Sequence, residues 1–204
     1  MPGISKKVIL FWFLAIASCV IDQASKEWIF AHLPGPLKPA PGQYMAAHHT
    51  LWQASNEPDT EINQVVPPGF HLHIAYTQDE HGNQVPHVNQ GALFGLGGAD
   101  WKGVANGLFA LVSLLVAVGL GLFVTLWHNR CDLMLGCALG LVAGGAVGNL
   151  IDRIRFSGVR DFLHCNYLFD WPVFNLADVF LVIGAGLILL VGMRTPEKPL
   201  SKQI

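Results

Sequence analysis

"GVANGLFALVSLLVAVGLGLFVTL", residues 103 to 126, carries no formal charge along its whole length. About 20 consecutive apolar residues in a helix are enough to cross the hydrocarbon core of a bilayer. The stretch therefore predicts a transmembrane helix. The composition agrees, because the chain is 52% hydrophobic and 13% charged, with a mean hydropathy of +0.43. Soluble domains have about a quarter charged residues, so we expect an integral membrane protein.

Outward from this stretch, three further apolar segments are long enough to span a membrane. The predicted spans lie near residues 8 to 28, 103 to 127, 131 to 151 and 173 to 193. We predict an all-α membrane protein of four transmembrane helices with a small extracytoplasmic, β-containing subdomain. The expected organisation is a first helix in 1–30, an excursion with a small sheet in 31–100, and a three-helix membrane portion in 101–204 with a loop between its last two helices.

The charges at the two ends of the chain predict its orientation. An even number of spans places both termini on one side, and five basic residues flank those termini: Lys6, Lys7, Arg194, Lys198 and Lys202. The positive-inside rule makes that side cytoplasmic, so the excursion and the loop near 152–172 face outward. "NLIDRIRFSGVRDF", residues 149 to 162, breaks the rule with three arginines, which indicates internal ion pairing beside its two aspartates.

The excursion differs in character from the spans, with eight of the twelve prolines and seven of the nine histidines. "GFHLHIAYTQ", residues 69 to 78, alternates as a strand does, and 81–83 has turn composition. The proline-rich residues 33–43 should be extended and irregular. In the third span, Gly136, Gly140, Gly144 and Gly148 recur every four residues and predict a close helix contact.

Asparagines and aspartates collect near the predicted outer boundary. Asn149, Asp152 and Arg153 share one helix face, Asn175 and Asp178 open the fourth span, and Asp161 lies in the loop between them. Two aspartates within hydrogen-bond range share one proton, and such a pair can hydrolyse a peptide without a metal. The alternative is structural: Asp152 pairs with Arg153 or Arg155, and Asp178 favours the helix start electrostatically.

Two other motifs are weaker alone. In "DQASKEW" of the first span, Asp22 and Lys26 have the i, i+4 spacing of an ion pair. In "NQGALFGL", residues 89 to 96, Asn89 and Gly91 precede apolar residues and suit a turn at the interface.

The ordered set "DQASK", "NQGALFG", "GNLIDRIRFSGVRDF" and "FNLADVF" resembles the type II (lipoprotein) signal peptidases of bacteria. These are aspartyl endopeptidases without a metal cofactor, and they cleave prolipoproteins just before a diacylglyceryl-modified cysteine. The resemblance implies a monomer in the cytoplasmic (inner) membrane, among membrane lipids, with its active site on the extracytoplasmic side.

Residue by residue, the resemblance implies that Asp161 and Asp178 are the catalytic pair. The implied supporting or substrate-binding positions are Asn149, Asp152, Arg153, Asn175, Asp22, Lys26, Asn89 and Gly91. Two features depart from the family. The excursion near 33–87 is longer than usual, and Arg160 stands where an apolar residue is usual, without an explanation from the sequence.

Three alternatives remain open. The histidines could bind a metal, although only His71 and His73 have a tight spacing, so no metal ligands are assigned. Intramembrane charges also mark transporters and channels, although no internal repeat is present. "IASC", residues 16 to 19, resembles the cleavage site of a lipoprotein signal sequence, although the family resemblance requires Asp22 and Lys26 to stay in the first helix. The net charge of −2 gives no reason to expect nucleic acid as a partner.

Overall fold

The computed structural model describes residues 5–33, 45–53, 68–79, 81–91 and 99–194. Its four long helices are α1 (Lys6–His32), α2 (Ala99–Leu126), α3 (Leu133–Phe156) and α4 (Leu176–Arg194). All four have the length and apolarity of membrane spans, which confirms the predicted fold class. A 3₁₀ turn, His128–Arg130, joins α2 to α3, and the Asp132 carboxylate caps α3 by accepting from the Leu135 amide.

Helix α3 is central and contacts each of the other three helices. Its glycines explain this position, because they let neighbouring backbones approach closely. A Cβ at Gly140 would lie 2.7 Å from the Phe11 carbonyl oxygen of α1, and one at Gly144 would overlap Ala15 and Ser18. On another face, a Cβ at Gly145 would lie 2.6 Å from the Ala177 carbonyl oxygen of α4. The predicted close contact along the glycine stripe is therefore confirmed.

The third helix extends beyond the predicted membrane span near 131–151, as the shared helix face of Asn149, Asp152 and Arg153 predicts. Helix α3 continues past residue 151 to Phe156 and ends where Ser157 adopts a left-handed conformation, with φ of 56°. Asp152 is fully buried inside the helix because ion pairs neutralise its charge. The connection to α4 therefore comprises residues 157–175, shifted from the predicted loop near 152–172.

Four antiparallel strands form the sheet: β1 (Met45–Gln53), β2 (Gly69–Gln78), β3 (Gln84–Pro86) and β4 (Leu163–Cys165). Strand β2 pairs with all three others. The predicted strand 69–78 and the turn after it are confirmed, with Gly82 at a φ of 78°. Of the segment predicted to be irregular, 34–43 lies outside the described residues.

The sheet packs on the end of α1. Ile74 of β2 and Phe162 and Leu163 of the α3–α4 connection form a buried cluster with Ile29 of α1. Because β4 belongs to that connection, the sheet joins the excursion to the segment that contains Asp161. The pairing of β4 with β2 thus fixes the position of the segment that adjoins the candidate site.

Candidate active site

Asp161 and Asp178 are brought to one place by Asn175. The Asn175 side-chain amide donates to Asp161 Oδ1 at 2.7 Å, and its backbone N–H donates to Asp178 Oδ2 at 3.2 Å. Both carboxylates are half-buried, so they can meet solvent or a substrate. Two aspartates separated by 17 positions in the sequence are therefore held by the same residue.

The start of α4 explains this geometry. Asn175 precedes the helix, and its side-chain oxygen accepts from the Asp178 N–H at 3.2 Å. The two residues thus cap each other reciprocally. From α3, Asn149 donates to Asp178 Oδ1 at 2.8 Å and accepts from the Asn175 amide at 3.1 Å. Asp178 therefore serves the helix start, as the structural alternative predicts, while its carboxylate still faces the site.

Asn89 holds the other carboxylate from the excursion side. Its amide donates to Asp161 Oδ2 at 3.0 Å, while its backbone exchanges hydrogen bonds with Val159 at 2.7 and 2.9 Å. Gly91 follows at a φ of 76° and donates to the Asn89 side-chain oxygen. A Cβ at Gly91 would lie 2.6 Å from a ring carbon of Phe109, so both the turn and the close approach require glycine.

Burial raises the pKa of the Asp161 carboxyl to about 6, and the negative charge of Asp178 acts in the same direction. The hydrogen bonds from Asn89 and Asn175 oppose this shift because they stabilise the ionised form. Asp161 can therefore hold a proton only slightly below neutral pH. This state suits a carboxyl group that must donate a proton.

Beneath the site lies a buried ion-pair network of two acids and two bases: Asp22, Lys26, Asp152 and Arg160. Lys26 Nζ lies 2.8 Å from Asp22 Oδ2 and 3.5 Å from Asp152 Oδ2. Arg160 binds Asp152 through Nη2 at 2.9 Å and Nε at 3.2 Å. All four side chains are at most 2% exposed. The network is formally neutral, which makes the burial of its charges tolerable.

The structural alternative pairs Asp152 with Arg153 or Arg155, whereas in the structure Asp152 pairs with Arg160 and Lys26. Arg153 instead contacts α2, where it donates to Asn106 at 3.3 Å and lies over the Phe109 ring at 4.9 Å. Arg155 pairs with Glu27, each about half exposed. The predicted Asp22–Lys26 pair is confirmed.

Sequence reasoning missed the roles of several residues around the site. Gln23 donates to Asp152 and to the Gly148 carbonyl, and Glu27 pairs with both Arg155 and Arg160. Gln23 lies within the "DQASK" motif, which is a signal that could have identified it. Arg160 was noticed only as a departure from the family.

A further group of polar residues lies on the sheet, where ligand atoms of His48, His73 and His164 are within 4.8 Å of one another. Close to this group, the α3–α4 connection exposes apolar side chains. They line a shallow pocket formed by Cys165, Tyr167, Leu168, Phe169, Trp171 and Phe174. Phe174, which lines the pocket, immediately precedes Asn175 in the chain.

The fold and the site define a multi-pass membrane protein with one carboxylate at the start of α4 and a second in the α3–α4 connection, both held by Asn175. The family model of signal peptidase (SPase) II matches residues 14–194. A lipoprotein signal peptidase of Gloeobacter violaceus is 34% identical over 203 residues, which cover 95% of this chain and 91% of that protein. A lipoprotein signal peptidase of Syntrophomonas wolfei is 31% identical over 183 residues, which cover 89% of this chain and 90% of that protein.

Among solved structures, a bacterial membrane enzyme determined by the in meso method at 2.3 Å resolution has the same fold, with a TM-score of 0.59 and 21% identity. The structural match covers 95% of this chain and 93% of the chain of that enzyme. The chain belongs to the signal peptidase II family. It is therefore a bacterial multi-pass membrane peptidase, which confirms the resemblance carried by the four motifs.

Proposed function

We propose that this peptidase removes the signal peptide from diacylglyceryl-modified prolipoproteins, and that Asp161 and Asp178 are its catalytic pair. The names of its relatives support the substrate class. The catalytic assignment rests on one observation: Asn175 donates hydrogen bonds to both carboxylates. Cleavage occurs on the N-terminal side of the lipidated cysteine.

In the proposed reaction, Asp178 is the ionised member of the pair and Asp161 carries the proton. Asp178 accepts hydrogen bonds from the side-chain amide of Asn149 and the backbone N–H of Asn175, which orient its carboxylate. It takes a proton from water, whose oxygen attacks the scissile carbonyl carbon. Asp161 donates its proton to the carbonyl oxygen. Collapse of the tetrahedral intermediate breaks the C–N bond, and the amine leaves with a proton from Asp178. One hydroxyl of the intermediate returns its proton to Asp161 as the carbonyl re-forms, which restores the starting state of the pair.

The surroundings of the pair suit a lipidated transmembrane substrate. The helices present apolar side chains outward, and the α3–α4 connection exposes further ones: Tyr167, Leu168, Phe169 and Trp171. A signal helix and its acyl chains can then approach from the bilayer while water reaches the carboxylates from outside. We place the site on the extracytoplasmic side of the inner membrane, with both termini cytoplasmic. A monomer suffices because both carboxylates belong to one chain.

The decisive experiment measures cleavage of a purified diacylglyceryl-modified prolipoprotein by wild type, Asp161→Asn and Asp178→Asn. We expect each substitution to lower kcat by roughly 10²–10⁴-fold, because each removes a proton-transfer group. Asp132→Asn is the matched control, since asparagine also caps helices well and Asp132 lies at the other end of α3.

Near wild-type cleavage by either variant would overturn the catalytic pair. The transporter alternative, with a structural ion-pair network, would then regain support only if both variants stayed fully active. A parallel reaction with the unmodified prolipoprotein tests the lipid requirement separately. Equal rates on both substrates would contradict the proposed substrate class without affecting the aspartates.

A further inference from the structure

We propose that His48, His73 and His164 form a binding site for a divalent transition metal ion, of which Zn²⁺ is the best match. The site lies on the sheet and shares no residue with the carboxylate pair. It is independent of the proposed function, and none of the peptidase motifs includes these three histidines.

Strand register brings the three side chains together. His48 of β1 lies opposite His73 of β2, and His164 of β4 lies opposite His71 of β2. Because alternate residues of a strand share a face, all these histidines lie on one face of the sheet. The ring centroids of His48, His73 and His164 are 4.7 to 5.9 Å apart.

The distances between the ligand atoms of the three histidines are close to those in a site that holds a metal ion. Ligand atoms of the three residues lie within 4.8 Å of one another. Tetrahedral zinc with bonds of about 2.0–2.1 Å separates its nitrogen ligands by about 3.4 Å, so small side-chain rotations suffice. His48 Nε2 and His73 Nδ1 are already 2.7 Å apart, in a hydrogen bond that a metal ion would replace.

His164 supplies an independent indication. Its Nε2 lies 2.7 Å from Asp170 Oδ1, while its Nδ1 is buried and has no hydrogen-bond partner in the described part of the chain. A buried ring nitrogen left without a partner is costly. Metal-binding histidines commonly use one ring nitrogen for the metal and the other for a carboxylate, which fixes the ring. Asp170 is positioned for that orienting role.

The donor set selects the kind of metal. Three imidazoles suit Zn²⁺, and also Cu²⁺ or Ni²⁺, whereas Mg²⁺ and Ca²⁺ prefer oxygen ligands.

A bound ion would cross-link three strands from two distant parts of the chain. Strands β1 and β2 belong to the excursion, whereas β4 begins at Leu163, two residues after Asp161. The ion would therefore fasten the excursion to the connection that carries the candidate catalytic residue. Its measurable effects are stoichiometric binding and a higher unfolding temperature, both of which can be observed without any peptidase assay.

The test uses the full-length protein in detergent, purified without a histidine tag and stripped with chelator. We add Zn²⁺, desalt the protein and count the bound metal by elemental analysis, and we record the absorption spectrum of the Co²⁺-loaded protein. We expect one ion per chain and a tetrahedral Co²⁺ spectrum. His73→Gln and His164→Gln should abolish stoichiometric binding. His81→Gln, in the exposed turn after β2, is the matched control and should bind as wild type does.

Asp170→Asn keeps all three ligands and should weaken binding by about 10–100-fold, since it removes only the orienting carboxylate. Thermal unfolding in chelator shows whether each variant is folded. His164→Gln should match metal-free wild type there and should lose the rise in unfolding temperature on adding Zn²⁺. The proposal is overturned if wild type binds no stoichiometric metal, or if folded His164→Gln binds as tightly as wild type. Equal loss in His81→Gln would also overturn it.

Discussion

Arg160 shows how a single side chain shapes the candidate site. Its backbone N–H and its guanidinium both donate to Asp152, and its guanidinium lies 4.3 Å from the centroid of the Phe156 ring. The next residue is Asp161, so this anchor fixes the position of the candidate catalytic carboxyl group. The sequence could not predict the pairing, because it depends on the left-handed turn at Ser157 that folds the chain back onto α3.

Substitution of Arg160 by valine should destabilise the protein strongly. Removing one partner of a buried ion pair leaves the other charge uncompensated, which costs about 3–5 kcal/mol. Unfolding in mixed micelles measures the loss. Arg155→Gln is the control: its pair with Glu27 is about half exposed, and such pairs contribute at most about 1 kcal/mol. Equal stability of the two variants would contradict the role of Arg160.

The pH dependence of cleavage should report the Asp161 proton. A carboxyl group with a pKa of about 6 is protonated below that pH and ionised above it. As proton donor, Asp161 is therefore competent at low pH, and kcat/KM should fall as the pH rises through about 6. This fall on the alkaline side is called the alkaline limb of the profile, and it reports an apparent pKa of the coupled pair.

Asn89→Ala should move that limb to higher pH. The Asn89 amide stabilises the ionised form of Asp161, so its removal raises the pKa of the carboxyl group further. The measurement is the pH profile of kcat/KM for both proteins. A limb that stays in place, or moves to lower pH, would show that Asp161 is not the donor.

At the scale of elements, apolar and small-residue periodicity predicted the structure best. It predicted the four helices, the glycine stripe of α3 and strand β2. It missed β1 and β3. It also missed β4, which is only three residues long and is defined by pairing with a strand about 90 positions earlier. The same pairing brings His73 and His164 close together in space, so the sequence alone could not reveal their proximity. The partners of Asp152 at the end of α3 could not be predicted either, because they come from α1 and the connection.

Adding a single methyl group to the glycine stripe should lower the stability of the protein. Gly140→Ala would place a Cβ 2.7 Å from the Phe11 carbonyl oxygen, and a backbone atom cannot move aside cheaply. We expect a loss of about 1–3 kcal/mol, typical of overpacking. Gly119→Ala on α2 is the control, because nothing lies within 4 Å of its added Cβ and alanine favours helix. Unfolding of both variants in mixed micelles tests the difference.

At the scale of the whole molecule, the sheet and the polar site lie at one end of the helix bundle, while the α2–α3 turn lies at the other. The long connection between α3 and α4 and the excursion meet at the sheet end, where Asn89 and Asp161 come into contact. Hydropathy and the basic termini predict that this end faces outward. Contacts between the excursion and the connection could not be predicted, because no local pattern in the sequence specifies them.

Cysteine labelling should establish this orientation. With the four native cysteines replaced, Asp170→Cys at the sheet end should react with a membrane-impermeant maleimide in intact cells. Asn129→Cys in the α2–α3 turn is also exposed but should react only after the membrane is opened. The reverse pattern would place both termini outside.

The ion-pair network beneath the site has a consequence for biogenesis. Asp22 and Lys26 are one helical turn apart, and Asp152 and Arg160 are eight positions apart, so each acid has a base nearby in its own part of the chain. Each segment can therefore enter the bilayer already neutralised, before α1 meets α3, which lowers the cost of inserting a charge. Assembly then joins two neutral pairs. We expect insertion during synthesis to tolerate a long delay between the first and third helices.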